Sequence, residues 1–284
     1  MTGFQKAIKV VAIVFAISLT ATIIGGIVNL AGFFINGLTG GDGKTTENFS
    51  EAYEEDGIEG IKIESSYGRL VIKSGDGFLV EADGASSRFS SRVSNSGILV
   101  ITNTGGNYNW AGKFFGGDDE FKDAVITVTV PEKFEVESLE IENGFGDLIM
   151  QDVACGFLKL KLGAGDCDVI GVKSGRTDID AGVGELSFID VVLGNVNLNC
   201  GVGDISIEGI MTGENDVDCG VGEIDIRIEG NREDYDISVE RGIGEIYLDG
   251  EKQDDMKAGD SSAENTLNIN GGIGEVSVKF TETE

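Results

Sequence analysis

Along residues 136–280 apolar side chains return at fixed places in a repeating unit marked by the pattern G-x-G-[DE]. Its first glycine is Gly144, Gly163, Gly182, Gly201, Gly220, Gly242 and Gly272 in turn, at intervals of 19, 19, 19, 19, 22 and 30 residues. With that glycine as position zero, four columns are apolar. Position −3 runs from Ile141 to Ile269, and position +1 from Phe145 to Ile273. Position +4 runs from Leu148 to Val276 with a lone Cys167, and position +6 from Met150 to Val278. Spacing by two is the strand period, in which alternate side chains take opposite faces. The parity changes between +1 and +4, so the second glycine and the acid stand at a corner. Each unit therefore reads as strand, corner, strand and return turn. A fixed period near 20 residues predicts stacking. The expected fold is all-β, a parallel β-solenoid of roughly 19-residue rungs about 4.8 Å apart, with an aliphatic interior.

Outside the regular repeats the pattern loosens. SSYGRLVI at residues 65–72 resembles a degenerate corner followed by a strand, and GILVITN (97–103) and AVITVTVP (124–131) alternate as strands do. Residues 58–135 read as irregular first rungs carrying an insertion, since the ends of a repeat stack are usually atypical. The extra residues between the last two units, 250–262, read as a surface loop. Cys200 and Cys219 share the column just before the first glycine with Leu162 and Ala181, which by parity faces inward. Stacked cysteines lie within bridging distance, but parallel Cβ directions are poor for a disulfide, so reduced thiols are expected.

Ahead of this β-domain lies a stretch of another kind. Between Lys9 and Asp42 no charged residue occurs. About 20 residues suffice to cross the hydrocarbon, so residues 8–38 are long enough for a transmembrane helix. Lys6 and Lys9 precede it and acids follow, which places the N-terminus in the cytoplasm and the large domain outside. A cleaved signal peptide is the competing reading; its apolar core is usually shorter. The expected organisation is an N-terminus and transmembrane helix over 1–38, a polar tether over 39–57, and an extracytoplasmic β-solenoid over 58–284.

The formal net charge of −29 argues against nucleic acid and against docking on anionic lipid. The sequence contains no histidine, which removes Ser-His-Asp chemistry and the usual zinc and copper ligand sets. No C-x-x-C pair occurs. No cofactor is expected. The recurring G-x-G lies between strands rather than before a helix, which is not the context of a dinucleotide loop.

Two groups of residues remain as candidates. The acidic corner column is Asp147, Asp166, Glu185, Asp204, Glu223, Glu245 and Glu275. It reads as a solvated corner or as a weak cation site, because one carboxylate per rung is too few for Ca²⁺ unless other oxygens join. The second group is the aromatic segment NYNWAGKFFGGDDEF at residues 107–121. Tyr108, Trp110, Phe114 and Phe115 there read either as a cap over the stack or as a contact surface for a glycan or partner.

Residues 128–150, VTVPEKFEVESLEIENGFGDLIM, and the G-V-G-[DE]-[IL] units after them carry a resemblance to a known family. The chain resembles the bacterial candidate-adhesin β-strand-repeat domain, domain of unknown function 4097, over roughly residues 58–280. The resemblance implies a surface-exposed β-repeat domain, often on a short membrane anchor, with adhesion as the family's suggested role and no assigned catalytic residues. Some relatives accompany envelope-stress systems. The expected function is a membrane-anchored, non-enzymatic adhesion or envelope scaffold whose partner is an envelope protein or wall polymer. Its rivals are a β-helical polysaccharide-active enzyme and a cation-dependent assembly element.

Overall fold

Burial follows three of the four columns. At position −3 Ile141, Leu160, Ile179, Leu198, Val217, Ile269 and Val239 are all buried, as are the residues at +4. At +6 the residues are buried except Leu248, which is half-buried and packs on the core. The computed structural model describes residues 47–104, 124–254, 256–259 and 263–281. All of them fall in one compact unit, Gly41–Glu284.

In chain order the strands begin with β1 (Glu47–Tyr53), β2 (Gly60–Ser65), β3 (Arg69–Gly75), β4 (Phe78–Ala85), β5 (Ser90–Val93), β6 (Ile98–Asn103) and β7 (Val125–Pro131). The regular units follow as β8 (Glu135–Phe145), β9 (Leu148–Gln151), β10 (Ala154–Ala164), β11 (Cys167–Ile170), β12 (Lys173–Val183), β13 (Leu186–Gly194), β14 (Val196–Val202), β15 (Ile205–Thr212), β16 (Glu214–Val221) and β17 (Ile224–Glu229). The chain ends with β18 (Tyr235–Ile243), β19 (Ile246–Leu248), β20 (Glu251–Gln253), β21 (Met256–Ala258), β22 (Asn265–Ile273) and β23 (Val276–Thr281). The regular rungs pair in parallel, in register, one repeat apart: Leu160 lies beside Ile141 on one side and Ile179 on the other.

Rung order in space departs from order in the chain at both ends. Val217 pairs with Ile269, and Ile269 with Val239, so β22 and β23 lie between β16/β17 and β18/β19. The last unit of the sequence is thus the penultimate rung. The other end mirrors this. There β2 and β3 lie between β6/β7 and β8/β9. Each inserted rung, β2/β3 and β22/β23, is paired on both sides, while antiparallel strands cover the outermost rungs. At one end β4 and β5 pair with β7 and β6, and β1 with β4. At the other end β20 and β21 pair with β19 and β18. Covering strands of this kind occupy backbone groups that an open sheet edge would leave unpaired.

Four expectations change accordingly. The repeats stack, but not in sequence order. Residues 251–253 and 256–258, read as a loop, are edge strands. Residues 47–53, read within the tether, form β1, whose Phe49 and Tyr53 pack against the core. The +1 column, read as inward, is half-buried and reaches 55% exposure at Ile243. Among the described residues no helix is long and apolar enough to cross a membrane. The anchor expected over 8–38 lies outside the described residues.

The second glycine of each unit is fixed by close approach. A Cβ on Gly203 would fall 1.8 Å from the Gly184 carbonyl oxygen, and one on Gly222 would fall 1.8 Å from that of Gly203. The corners nest so tightly that no side chain fits between rungs.

Candidate functional site

The corner acids line up along the stack in the order Asp147, Asp166, Glu185, Asp204, Glu223, Glu275 and Glu245. Arg69 occupies the same position one rung earlier, in the degenerate SSYGRLVI corner, and its Nη2 donates to Asp147 Oδ2 at 3.1 Å. At the far end Lys252 of β20 pairs with Glu245. The column is therefore bracketed by a cation at each end, and both come from segments outside the regular repeat.

Each aspartate here has a structural task. The backbone N–H of the corner residue has no ladder partner, and the aspartate of the neighbouring rung accepts it. Glu185 N donates to Asp166 Oδ1 at 3.0 Å and Glu223 N to Asp204 Oδ1 at 2.8 Å, with Asp166 N to Asp147 Oδ1 at 3.4 Å. An acceptor one methylene from the backbone matches this reach. Among the described residues no three Cys, Asp or Glu side chains converge as a metal-holding group.

A second set of polar ladders, missed at the level of sequence, runs along the outer face of β12, β14, β16 and β22. Position −4 reads Asp178, Asn197, Asp216 and Asn268 on successive rungs, and position −2 reads Asp180, Asn199, Asp218 and Asn270. Asn197 Nδ2 donates to Asp178 Oδ1 at 3.2 Å, Asn199 Nδ2 to Asp180 Oδ1 at 3.4 Å, and Asn268 Nδ2 to Asp216 Oδ1 at 2.8 Å. Two like charges one rung apart repel by about 0.9 kcal/mol even in water. Alternating acid with amide keeps like charges from neighbouring rungs and supplies an amide donor to Asp178, Asp180 and Asp216. The first three rungs of columns −4 and −2 alternate in chain order, but the fourth does so only in spatial order: read along the chain, Asp218 is followed by Glu240.

Inside, the column holding the cysteines serves the corner carbonyls. Asn143 Nδ2 donates to Gly146 O at 2.9 Å and Asn103 Nδ2 to Tyr67 O at 2.9 Å, while Cys219 Sγ lies 3.4 Å from Gly203 O as a weak donor. Cys200 and Cys219 are register partners, and all four cysteines are free and buried. Interaction with Cys200 on the adjacent rung, together with burial, holds the Cys219 thiol far above its ordinary range, while the same interaction draws Cys200 below its own. Burial lifts Cys155 to about 11, and it raises Cys167 as well. Cys155, Cys167 and Cys219, held protonated in this way, are poor nucleophiles at neutral pH.

Tyr108, Trp110, Phe114 and Phe115 lie outside the described residues. The acids of the column stand one per rung in a line. A separate shallow depression beside β1 gathers Tyr53, Glu54, Glu55 and Asp56 with Gly77.

The Toastrack DUF4097 family model matches residues 58–280. No curated protein matches the chain. A solved candidate cell adhesion protein from Clostridium sporogenes ATCC 15579 is 17% identical with a TM-score of 0.37, covering 84% of this chain and 100% of its own. A candidate adhesin from Bacteroides fragilis NCTC 9343 is 13% identical with a TM-score of 0.45, again covering 84% and 100%. A candidate lipid binding protein from Parabacteroides distasonis ATCC 8503 is 11% identical with a TM-score of 0.29, covering 82% and 96%.

Proposed function

Given that this chain belongs to the Toastrack DUF4097 family, we propose that it is a non-enzymatic interaction scaffold of the cell envelope. In this reading residues 8–38 anchor it in the membrane with the N-terminus in the cytoplasm, and the β-domain is displayed outside. The observation that carries the reading is the periodicity of the outer surface. Successive rungs present the same positions at the strand spacing of about 4.8 Å. Asn and Asp side chains on that surface bind one another from rung to rung rather than converging on a point. A repetitive acidic face of this kind suits an extended partner, such as an envelope protein or a wall polymer bearing cationic groups. Tyr108, Trp110, Phe114 and Phe115 are proposed as additional contacts on sequence grounds.

The test is affinity capture from envelope extract with the full chain as bait, in a mild detergent. A partner retained by the wild type and lost when high salt screens the acidic face supports the scaffold. Loss of the same partner with Trp110→Ala assigns the aromatic segment to it. Turnover of an envelope polysaccharide by the purified chain, with no retained partner, would contradict it.

A further inference from the structure

The side chain between the two glycines of each unit forms a ridge. Val183, Val202, Val221, Ile273 and Ile243 occupy five successive rungs in that spatial order. The first four are half-buried and Ile243 is 55% exposed. Their neighbours on each side are glycines, so the aliphatic groups stand on bare backbone. Acids line both flanks: Asp180, Asp218 and Glu240 at position −2, and Glu185, Asp204 and Glu223 at position +3. Over these five rungs no Lys or Arg occupies positions −4, −2, +1 or +3, and the one base at position −1 is Arg241, on the rung of Ile243. Lys252, paired with Glu245, lies beyond the last rung.

We propose that this ridge docks a basic amphipathic α-helix laid along the stacking axis, a proposal that rests on the scaffold reading and names its partner class. The helix pitch of about 5.4 Å nearly matches a rung spacing of about 4.8 Å, so one apolar residue per turn meets one aliphatic side chain per rung. Over four intervals the two repeats drift by only about 2.4 Å, less than half a turn. An aliphatic line between two acidic flanks is the complement of a helix with a narrow apolar stripe bordered by Lys or Arg. The chain's own charge disfavours an acidic or neutral polar partner at the same place.

The probe is an 18-residue Leu/Lys peptide with a single leucine stripe, measured against the full chain in phosphatidylcholine nanodiscs with empty nanodiscs as the reference. A second peptide of the same composition, with leucine and lysine dispersed around the helix, tests the stripe. The striped peptide binds saturably, and the dispersed one binds about tenfold more weakly. The Val202→Ser/Val221→Ser double variant weakens the striped peptide by about tenfold. Ile243→Ser, at a site exposed enough to leave folding intact, weakens it by about threefold. Equal binding of the two peptides, or unchanged affinity in both variants, overturns the ridge in favour of charge alone. Absence of binding to the wild type also overturns it, whereas the scaffold reading fails only in the envelope capture.

Discussion

Asn268 donates its side-chain amide to Asp216 at 2.8 Å across 52 residues of chain. The contact exists because the last unit of the sequence enters the stack before the unit that precedes it. One column over, Asn270 separates Asp218 from Glu240 in the same way. Stacked in chain order, those two acids would be neighbours. Asn270→Asp restores that conflict on both sides, at about 0.9 kcal/mol per pair in water, so it should destabilise the fold by roughly 1–2 kcal/mol. Urea melts at low and high salt check this. The loss should shrink at 1 M NaCl, where the Debye length is about 3 Å.

Asp204 is an acceptor before it is a charge. Its Oδ1 receives the Glu223 N–H at 2.8 Å, next to further acids on the same column. Asp204→Asn keeps an acceptor oxygen and removes one repelling charge, so its stability should equal or exceed wild type. Asp204→Ala leaves the N–H without its partner and should cost about 1 kcal/mol. Thermal melts of the two variants decide between this account and a purely electrostatic corner, in which both would stabilise.

Corner nesting makes glycine obligatory at some sites and only preferred at others. Gly203→Ala would place a methyl 1.8 Å from a carbonyl oxygen of the adjacent rung, so two corners must separate. The expected cost is about 3–5 kcal/mol. Gly250 has φ of +81°, but a methyl there would meet nothing within 4 Å, so Gly250→Ala bears only the backbone penalty of roughly 1–2 kcal/mol. Equal losses at the two sites, by urea denaturation, would contradict the nesting.

Burial of the thiols ties stability to alkaline pH. Cys155 moves from an ordinary 9.0 to about 11 on folding. Its folded pKa is raised, so the stabilising contribution is complete below pH 9 and is lost as pH rises toward 11, where the unfolded thiol has already ionised. The loss from this residue is roughly 2–3 kcal/mol. In Cys155→Ala the decline in unfolding free energy between pH 9 and 11 should be shallower than in the wild type, whatever the offset between the two curves at pH 7.

The sequence made the rung legible and the stack only partly so. Ile141, Leu148 and Met150 announced an inward −3, +4 and +6 because strand parity is local and survives in a one-dimensional reading. Val202 misled at +1 because the corner bends between two glycines, which turns a position that parity alone assigns to the interior half outward. Rung order was hidden because Ile269 and Val239 fit the same slot in any order. Only the outward Asp and Asn residues distinguish the orders, through charge repulsion that an apolar column does not feel. Arg69 and Lys252 escaped notice as ends of the acidic column for a related reason: each belongs to a segment whose neighbours are set by topology, not by period.

Native-state hydrogen exchange tests the rung order most directly, since the end of a stack opens first while interior rungs wait for global unfolding. Amides of 265–273 and 276–281 should be as protected as those of 214–221 and 224–229, with 251–253 and 256–258 exchanging earliest. If instead 265–281 exchange ahead of 235–248, the last unit is the outer edge of a sequential stack, and the inserted order is wrong.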